Sequence, residues 1–264
     1  MEPLGIGKIF NVDSLTSISV PHILEKIFFS LDYPSFHQCM AVSTDWNGLF
    51  SSEKFQKLRK DTFREEIQME LRRALRSHNI QSIKKLLSNN MEYLNYVHEN
   101  VGTPLCVAAR RGHAGLVQFL LDKGADINEP KGYLHTALYV AADEGHLNVV
   151  KMLLEGGAAP DNGGEDGVTP VHIAAMSGHV EVVKLLLERG ASVNPQITWS
   201  GMTPLHGAAI MGHKDVVKLL LESGAYHGSA NIDGHTPLMM AQYYGFERIG
   251  HEEVVDLLKM YGGL

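Results

Sequence analysis

The sequence is poor in cysteine and has no long hydrophobic run. Only two cysteines occur among 264 residues, Cys39 and Cys106, and they form no C-x-x-C pair. This usage argues against a disulfide framework or a cysteine-based zinc site, and it favours a reducing compartment such as the cytoplasm or the nucleus. No stretch reaches the roughly 18 apolar residues that a membrane-spanning helix needs, so we expect no membrane partner.

The sequence also lacks an excess of positive charge. Lysine and arginine together number 23 against 30 aspartates and glutamates, which gives a net charge of -7. Binding to nucleic acid phosphates or to anionic lipids requires clustered cations. We therefore expect no nucleic acid partner.

What the sequence has instead is a period of about 33 residues. A threonine opens each copy, with steps of 33, 33, 34 and 33 residues: Thr103, Thr136, Thr169, Thr203 and Thr236. The copies share T-P-L-H-x-A-A, then G-H, then V-V-x-L-L-L and G-A, most completely in residues 167–194. A period of this length predicts stacked units, each of which needs its neighbours to bury its apolar face.

Each copy predicts two helices, so the fold class is all-α. In the third copy, Thr169 can cap a helix that ends before Gly178, where a left-handed residue is needed. A second helix with a broad apolar face is predicted from about Val180 to Glu188.

These motifs resemble the ankyrin-repeat family. The resemblance implies an ankyrin-repeat solenoid over residues 63–264, with repeats from about 101, 134, 167, 201 and 234. Two helices at 63–77 and 80–88 resemble a degenerate first repeat over 63–100, in which Ser77-His78 takes the place of Gly-His. Terminal repeats are commonly atypical, because their outer faces meet solvent or another domain.

The 14 histidines do not indicate catalysis or metal binding. Residues that recur at the repeat period are placed by the hydrogen bonds of the fold rather than by a metal ion. Neither an H-E-x-x-H pattern nor a phosphate-binding loop is present, and Cys106 takes the histidine position of its repeat. We predict no enzyme, no cofactor and no metal site. The recurring histidines follow glycine or Thr-Pro-x: His113, His146, His172, His179, His206 and His213.

The first 62 residues follow a different pattern. Residues 1–17 show no periodicity, and we expect a flexible tail. Residues 18–62 predict three short helices and a connector, with apolar residues at helical spacing in the first helix and a break at residues 32–35. The connector is predicted to be helical from Glu53.

Residues 20–50 resemble the F-box, the helical module that docks on the Skp adaptor of cullin–RING ubiquitin ligases. The match rests on residues that follow one another in the same order as in the family, including Val42-Ser43. When this segment is aligned with the family on Leu31, Ser19 and Val20 stand where the family has its Leu-Pro pair. The resemblance implies an adaptor-binding set: Pro21, Leu24, Ile27, Phe28, Leu31, Pro34 and Trp46. The alternative is that the same apolar residues form a helical cap that packs on the repeats.

Positions that the repeat leaves free are the candidates for contact with a protein partner. The family resemblance implies that loop tips and the exposed end of each first helix form that surface. These positions change from basic through acidic to apolar and aromatic along the repeats, which is typical of an interaction surface. An insertion after Gly245 could instead bury several of them. The predicted partner-binding set is Tyr133, Asp143, Glu144, Trp199, Met202, Ile210, Met211, Tyr243 and Tyr244.

Together the two resemblances imply a substrate-recognition subunit of a Skp–cullin–F-box type ubiquitin ligase. Its partners would be a Skp-type adaptor and a cullin, bound through the F-box-like segment, and a target protein on the ankyrin surface. We expect a monomer outside that complex. The alternative is a non-catalytic ankyrin-repeat scaffold or inhibitor with a helical N-terminal cap.

Overall fold

The computed structural model describes residues 53–97, 102–129, 135–164, 167–244 and 251–262. The predicted F-box segment, including all seven residues of the adaptor-binding set, lies outside these ranges, and so does Tyr133. The regular elements within them are helical, which confirms the all-α prediction for the described repeats. A 3₁₀ turn at Met91–Tyr93 accompanies twelve α-helices. These are α1 (Glu53–Arg76), α2 (Ile80–Asn89), α3 (Pro104–Arg110), α4 (Ala114–Asp122), α5 (Ala137–Asp143), α6 (Leu147–Glu155), α7 (Pro170–Ser177), α8 (Val180–Glu188), α9 (Pro204–Met211), α10 (Lys214–Glu222), α11 (Pro237–Tyr244) and α12 (His251–Gly262).

The chain divides into two compact units, residues 1–70 and 71–264. Of the first unit, the structure describes residues 53–70, which are helical throughout. Helix α1 begins at Glu53, as predicted for the connector. It runs for 24 residues without a break at residues 62–63, so the predicted connector and the predicted helix over 63–77 are one helix.

The second unit consists of two rows of packed helices. The first helices of successive repeats lie side by side in the order α3, α5, α7, α9, α11. The second helices form a parallel row in the order α2, α4, α6, α8, α10, α12. Each helix pair therefore buries its apolar faces against the pairs on either side, as the period predicts.

The third repeat shows why the sequence folds locally in this way. The hydroxyl of Thr169 accepts a hydrogen bond from the backbone of His172 and caps α7. Helix α7 ends before Gly178, whose φ is 79°, and α8 spans Val180–Glu188, so the predicted boundaries are confirmed. Leu186 is fully buried between the rows, and burial of such a side chain contributes about 2 kcal/mol.

From the second matched repeat onward, the histidine before the second helix connects its repeat to the preceding one. The Nε2–H group of the histidine donates to a backbone carbonyl near the end of the preceding repeat's first helix. The bonds are His146 to Arg110 (3.0 Å), His179 to Asp143 (2.8 Å), His213 to Met176 (2.9 Å) and His251 to Ile210 (2.8 Å).

The glycine at these junctions is required for two reasons. Gly178 has a left-handed φ of 79°, and a Cβ atom there would lie 2.8 Å from the imidazole of His213. The first condition favours glycine over any L-residue, and the second leaves no room for a methyl group. Successive repeats are thus held together by a close imidazole–backbone contact as well as by apolar burial.

The first junction departs from this pattern and corrects the sequence alignment. His78 holds the left-handed position, with φ of 54°, and Asn79 caps α2 by accepting from the backbone of Ser82 at 3.0 Å. Asn79 therefore corresponds to the later histidines. The prediction that Ser77-His78 replaces Gly-His was wrong by one residue, because α1 continues to Arg76 before the turn begins.

A second series of bonds joins the loops that follow the second helices. A side-chain oxygen in one repeat accepts a hydrogen bond from a backbone N–H of the next repeat. The accepting residues recur every 33 residues along the chain. The bonds link Asn95 to Asp126 (2.8 Å), Asn128 to Ala159 (3.0 Å), Asp161 to Ser192 (3.0 Å) and Asn194 to Tyr226 (2.9 Å). Because Asn95 takes part, the degenerate repeat at residues 63–100 is joined to the first matched repeat by the same device as the later ones.

The fifth repeat retains the pattern on both sides of its insertion. Residues 245–250 lie outside the described residues, and α12 begins at His251. His251 bonds Ile210 as the earlier histidines bond their own carbonyls, so it serves as the histidine of this repeat. Among the helices of the described ranges, none is both long enough and apolar enough to cross a bilayer.

Candidate protein-binding surface

Buried histidines at the start of the first helices position the neighbouring loops. In the fourth repeat, the backbone N–H of Thr203 donates to Nδ1 of His206 at 3.1 Å, and Nε2–H of His206 donates to the carbonyl of His235 at 3.1 Å. Burial lowers the pKa of His206 below its ordinary value, which favours the neutral ring that these two bonds require. His172 makes the equivalent bond to the carbonyl of Met202 at 3.1 Å.

The same position is occupied differently in the first and fifth matched repeats. Cys106 donates a weak hydrogen bond from Sγ to the carbonyl of His135 at 3.4 Å. Burial raises the pKa of the Cys106 thiol, so it packs as a small apolar group and is not activated as a nucleophile. Met239 is 50% exposed, whereas His206 is fully buried.

The loop tips of the fourth and fifth repeats lie beside each other. The backbone N–H of Ile232 donates to the carbonyl of Ser200 at 3.0 Å. A Cβ atom on Gly201 would lie 3.2 Å from the backbone nitrogen of Ile232, so the two backbones are in close contact. Trp199 and Ile232 are consequently neighbours on adjoining loops.

Among the large apolar and aromatic residues exposed on the fourth and fifth repeats, five lie on the loop tips and on α11, and we call these five the terminal patch. The two tyrosines touch edge to face, with ring centroids 5.1 Å apart. Exposed aromatic residues that the fold does not need are typical of sites that bind other proteins. The patch comprises Trp199 (66% exposed), Ile232 (69%), Met239 (50%), Tyr243 (78%) and Tyr244 (49%).

An open groove of about 870 Å³ runs along the fifth repeat. Asp233 and His235 of the loop tip line it together with residues of α11. The groove therefore combines an apolar wall with a carboxylate. Its lining is Asn231, Asp233, His235, Met239, Met240, Gln242, Tyr243 and Tyr244.

The other residues of the predicted partner-binding set differ in exposure. Met211 and Glu144 are exposed, whereas Met202 and Ile210 are partly covered. Asp143 is also partly covered, because one oxygen of its carboxylate accepts the hydroxyl of Ser177 at 3.0 Å. The set as a whole stays a prediction, since no partner is present to test it.

The predicted partner-binding set does not contain Ile232 and Met239. Met239 stands at the position that holds histidine in the third and fourth repeats, and the repeat pattern assigned that position to the framework. The replacement of histidine by methionine was the signal that could have identified it. Ile232 lies at a loop tip, but its proximity to Trp199 depends on contacts between repeats.

No metal centre can be assigned in the described part of the chain. Within it, no three histidine, cysteine, aspartate or glutamate side chains converge closely enough to hold an ion. The histidines described above bond backbone carbonyls instead.

Comparison with known proteins agrees with the repeat architecture. The family model "Ankyrin repeats (3 copies)" matches residues 71–163, 157–231 and 200–263. The chain belongs to the ankyrin-repeat family. Ankyrin-repeat proteins are typically non-enzymatic scaffolds, and ankyrin repeats imply protein–protein interaction.

Curated relatives are similar to parts of this ankyrin-repeat chain. A segment of 107 residues, 40% of the chain, is 42% identical to rat "Ankyrin repeat and SAM domain-containing protein 6" and covers 11% of that protein. A segment of 67 residues, 25% of the chain, is 37% identical to human and 39% identical to Pongo abelii "NAD-capped RNA hydrolase NUDT12". It covers 14% of each hydrolase, so these matches extend to small parts of much longer proteins.

Proposed function

We propose that the chain is the substrate-recognition subunit of a Skp–cullin–F-box type ubiquitin ligase. The observation that carries the proposal is the ordered F-box-like series in residues 20–50, followed in the same chain by ankyrin repeats with an exposed terminal patch. The F-box-like segment would bind the adaptor and the cullin, and the repeats would bind the target. Low cysteine content and a buried free thiol at Cys106 support a cytoplasmic or nuclear location.

The mechanism is catalysis by proximity. A receptor of this kind contributes no reacting group, and it raises the effective concentration of target lysines near a thioester carried by another subunit. The magnitude of that effect depends on how rigidly the target is held, because a loosely held target spends less time within reach.

Contacts between repeats hold the candidate binding surface rigidly, as this mechanism requires. The carbonyls bonded by the junction histidines belong to Arg110, Asp143, Met176 and Ile210. These are the positions whose side chains vary from repeat to repeat. Their side chains therefore project from a backbone that the next repeat holds in place, and a preorganised surface loses less conformational entropy on binding.

The proposal is tested by copurification from cells with the intact chain. Replacing Ile27, Phe28 and Leu31 with aspartate should abolish capture of the Skp-type adaptor and cullin, because each carboxylate would be buried in an apolar interface. The matched variant is Trp199→Ala with Tyr243→Ala, which should keep the adaptor and lose the target. Failure of the unmodified chain to capture adaptor, while its repeats still bind another protein, would contradict the ligase role.

A non-catalytic scaffold or inhibitor is the second candidate. Two observations favour it: Ser19 and Val20 stand where the F-box family has Leu-Pro, and the matched family model begins at residue 71. In that case the aspartate variants would leave the set of captured proteins unchanged. The same copurification therefore separates the two candidates.

A further inference from the structure

Cations are distributed unevenly over residues 135–244. The sequence of this segment contains five lysines and arginines. All of them lie in the second helices or, for Arg189, at the residue that ends one: Lys151, Lys184, Arg189, Lys214 and Lys218. Apart from Arg189 at the end of α8, the first helices α5, α7, α9 and α11 and the loops before α7, α9 and α11 contain no lysine or arginine, and we call this surface the cation-free face.

Acidic groups are nevertheless present on the cation-free face. Glu144 is exposed at the end of α5, and Asp233 is exposed at the loop tip that lines the groove. The carboxylate of Asp233 thus lies in the same groove as Tyr243 and Tyr244. Toward the amino terminus the face is bordered by Arg110 and Arg111, which are exposed on the preceding repeat.

The terminal patch adds aromatic surface to this acidic face. Trp199, Tyr243 and Tyr244 expose much of their rings. Tryptophan and tyrosine rings attract ammonium and guanidinium groups through their electron-rich faces, and tryptophan does so most strongly. The carboxylate of Asp233 beside these exposed rings, with no lysine or arginine among the described residues of the cation-free face, forms an environment that suits lysine and arginine side chains.

We infer that the cation-free face binds an extended peptide segment that alternates lysine or arginine with apolar residues. This inference rests on the proposed role of the ankyrin surface in holding a protein partner. The basic side chains lie against Glu144, Asp233 and the aromatic rings, and the apolar ones cover Ile232 and Met239. Phosphates of nucleic acids or lipids would be repelled by the same carboxylates.

The geometry of the repeats sets the length of the segment. Neighbouring packed helices lie about 10 Å apart, so Glu144 at the end of α5 and Tyr244 at the end of α11 are separated by roughly 30 Å. An extended chain advances about 3.3 Å per residue, which makes the segment about nine residues long. Arg110 and Arg111 continue the row beyond Glu144 and favour an acidic residue at the corresponding end of the peptide.

The test uses the purified full-length chain and synthetic fluorescent peptides of nine residues. One peptide alternates arginine or lysine with leucine, and a second has glutamate in place of every cation. Fluorescence anisotropy should show saturable binding of the basic peptide that weakens as salt rises, since exposed charge pairs are screened. Equal affinity for the acidic peptide would overturn the inference.

A pair of matched charge reversals locates the site. The variant Glu144→Lys with Asp233→Lys changes the cation-free face, and Glu181→Lys with Glu188→Lys makes the same change in net charge on exposed positions of α8. We expect affinity for the basic peptide to fall about tenfold or more in the first variant and less than about twofold in the second. Equal losses would show general electrostatic attraction and overturn the inference.

The outcomes separate this inference from the proposed ligase role. If the intact chain binds the basic peptide at this face but captures no Skp-type adaptor, the inference stands and the ligase role fails. If the chain captures adaptor and target while the two peptides bind equally, the inference fails and the ligase role stands.

Discussion

The fourth and fifth repeats use the same sequence position in opposite ways. His206 of the fourth repeat is fully buried and bonds both Thr203 and the carbonyl of His235 in the next loop, whereas Met239 of the fifth is half exposed and lines a groove. His206 serves the loop of the repeat that follows it. The difference shows that the histidine is required by a neighbour, and that where no such bond is made the position can carry an apolar residue for binding.

The variable positions at the ends of the first helices show the same contrast. Ile210 is partly covered, and its carbonyl is bonded by His251 of the fifth repeat. Tyr243, one repeat later at the same position, is the most exposed residue of the terminal patch. The bonds made by the following repeat therefore distinguish residues that hold repeats together from residues that are available for a partner. Four predictions test that distinction.

The largest effect is expected at a junction glycine. Gly178→Ala should lower the free energy of unfolding by about 3 kcal/mol, because a left-handed backbone is unfavourable for alanine and the methyl group would displace His213. Gly190 is the matched control, since it has φ of 90° and nothing within 4 Å of an added Cβ. Gly190→Ala should cost only about 1 kcal/mol in the same urea titration, and equal losses would contradict the role of the imidazole contact.

A somewhat smaller loss is expected from a buried histidine. His206→Ala leaves the N–H of Thr203 and the carbonyl of His235 without their partner, and such losses cost about 2 kcal/mol in total. The paired variant Met239→Ala, at the same position of the next repeat, should change the free energy of unfolding by less than about 0.5 kcal/mol. Thermal unfolding of the two variants measures the contrast, and similar losses would mean that Met239 also holds the fold together.

The pH dependence of stability should also reveal the buried histidine. Burial holds the pKa of His206 below its ordinary value, so the unfolded chain takes up a proton there more readily than the folded chain. The stabilisation is complete above about pH 6.5 and is lost as pH falls through the lower folded pKa. His206→Gln should show a shallower decline in urea midpoint below pH 6.5 than the unmodified chain, and parallel curves would contradict this assignment.

The smallest effect on stability is expected in the terminal patch. Tyr243→Ala and Trp199→Ala should each shift the free energy of unfolding by no more than about 0.5 kcal/mol, since both side chains are mostly exposed. The same variants should weaken binding of the protein partner by about 2 kcal/mol, as expected for aromatic hot spots. Calorimetry gives the first quantity and binding titration the second. A large loss of stability would show that the patch belongs to the framework.

Local signals in the sequence were sufficient to predict much of the repeat fold. Helix α8 begins and ends as predicted, because Gly178 precedes it, Gly190 follows it, and its apolar residues recur at helical spacing. The cap at Thr169 was likewise predicted from local sequence. Helix ends are set within a few residues along the chain, so a single sequence contains the information.

Features that depend on contacts between repeats were harder to predict. The position of Asn79 as the cap of α2 was missed, because Ser77-His78 gave a plausible match one residue earlier. Two further features depend on neighbouring repeats. Met239 does not make the bond to a neighbouring loop that His206 makes, and it is exposed. Trp199 lies near Ile232 because a backbone hydrogen bond joins their loops. A period in the sequence predicts that repeats stack, and it does not predict which side chains remain uncovered.

The identical construction of the later junctions makes the repeats interchangeable. Gly112, Gly145 and Gly178 each present the same surface to a histidine one period later, as does Gly212 to His251. Excision of one complete period between equivalent residues would therefore bring together ends that already fit, and duplication of a period would do the same. The number of repeats can change by whole units in this way, so the binding surface can be lengthened or shortened without a new interface.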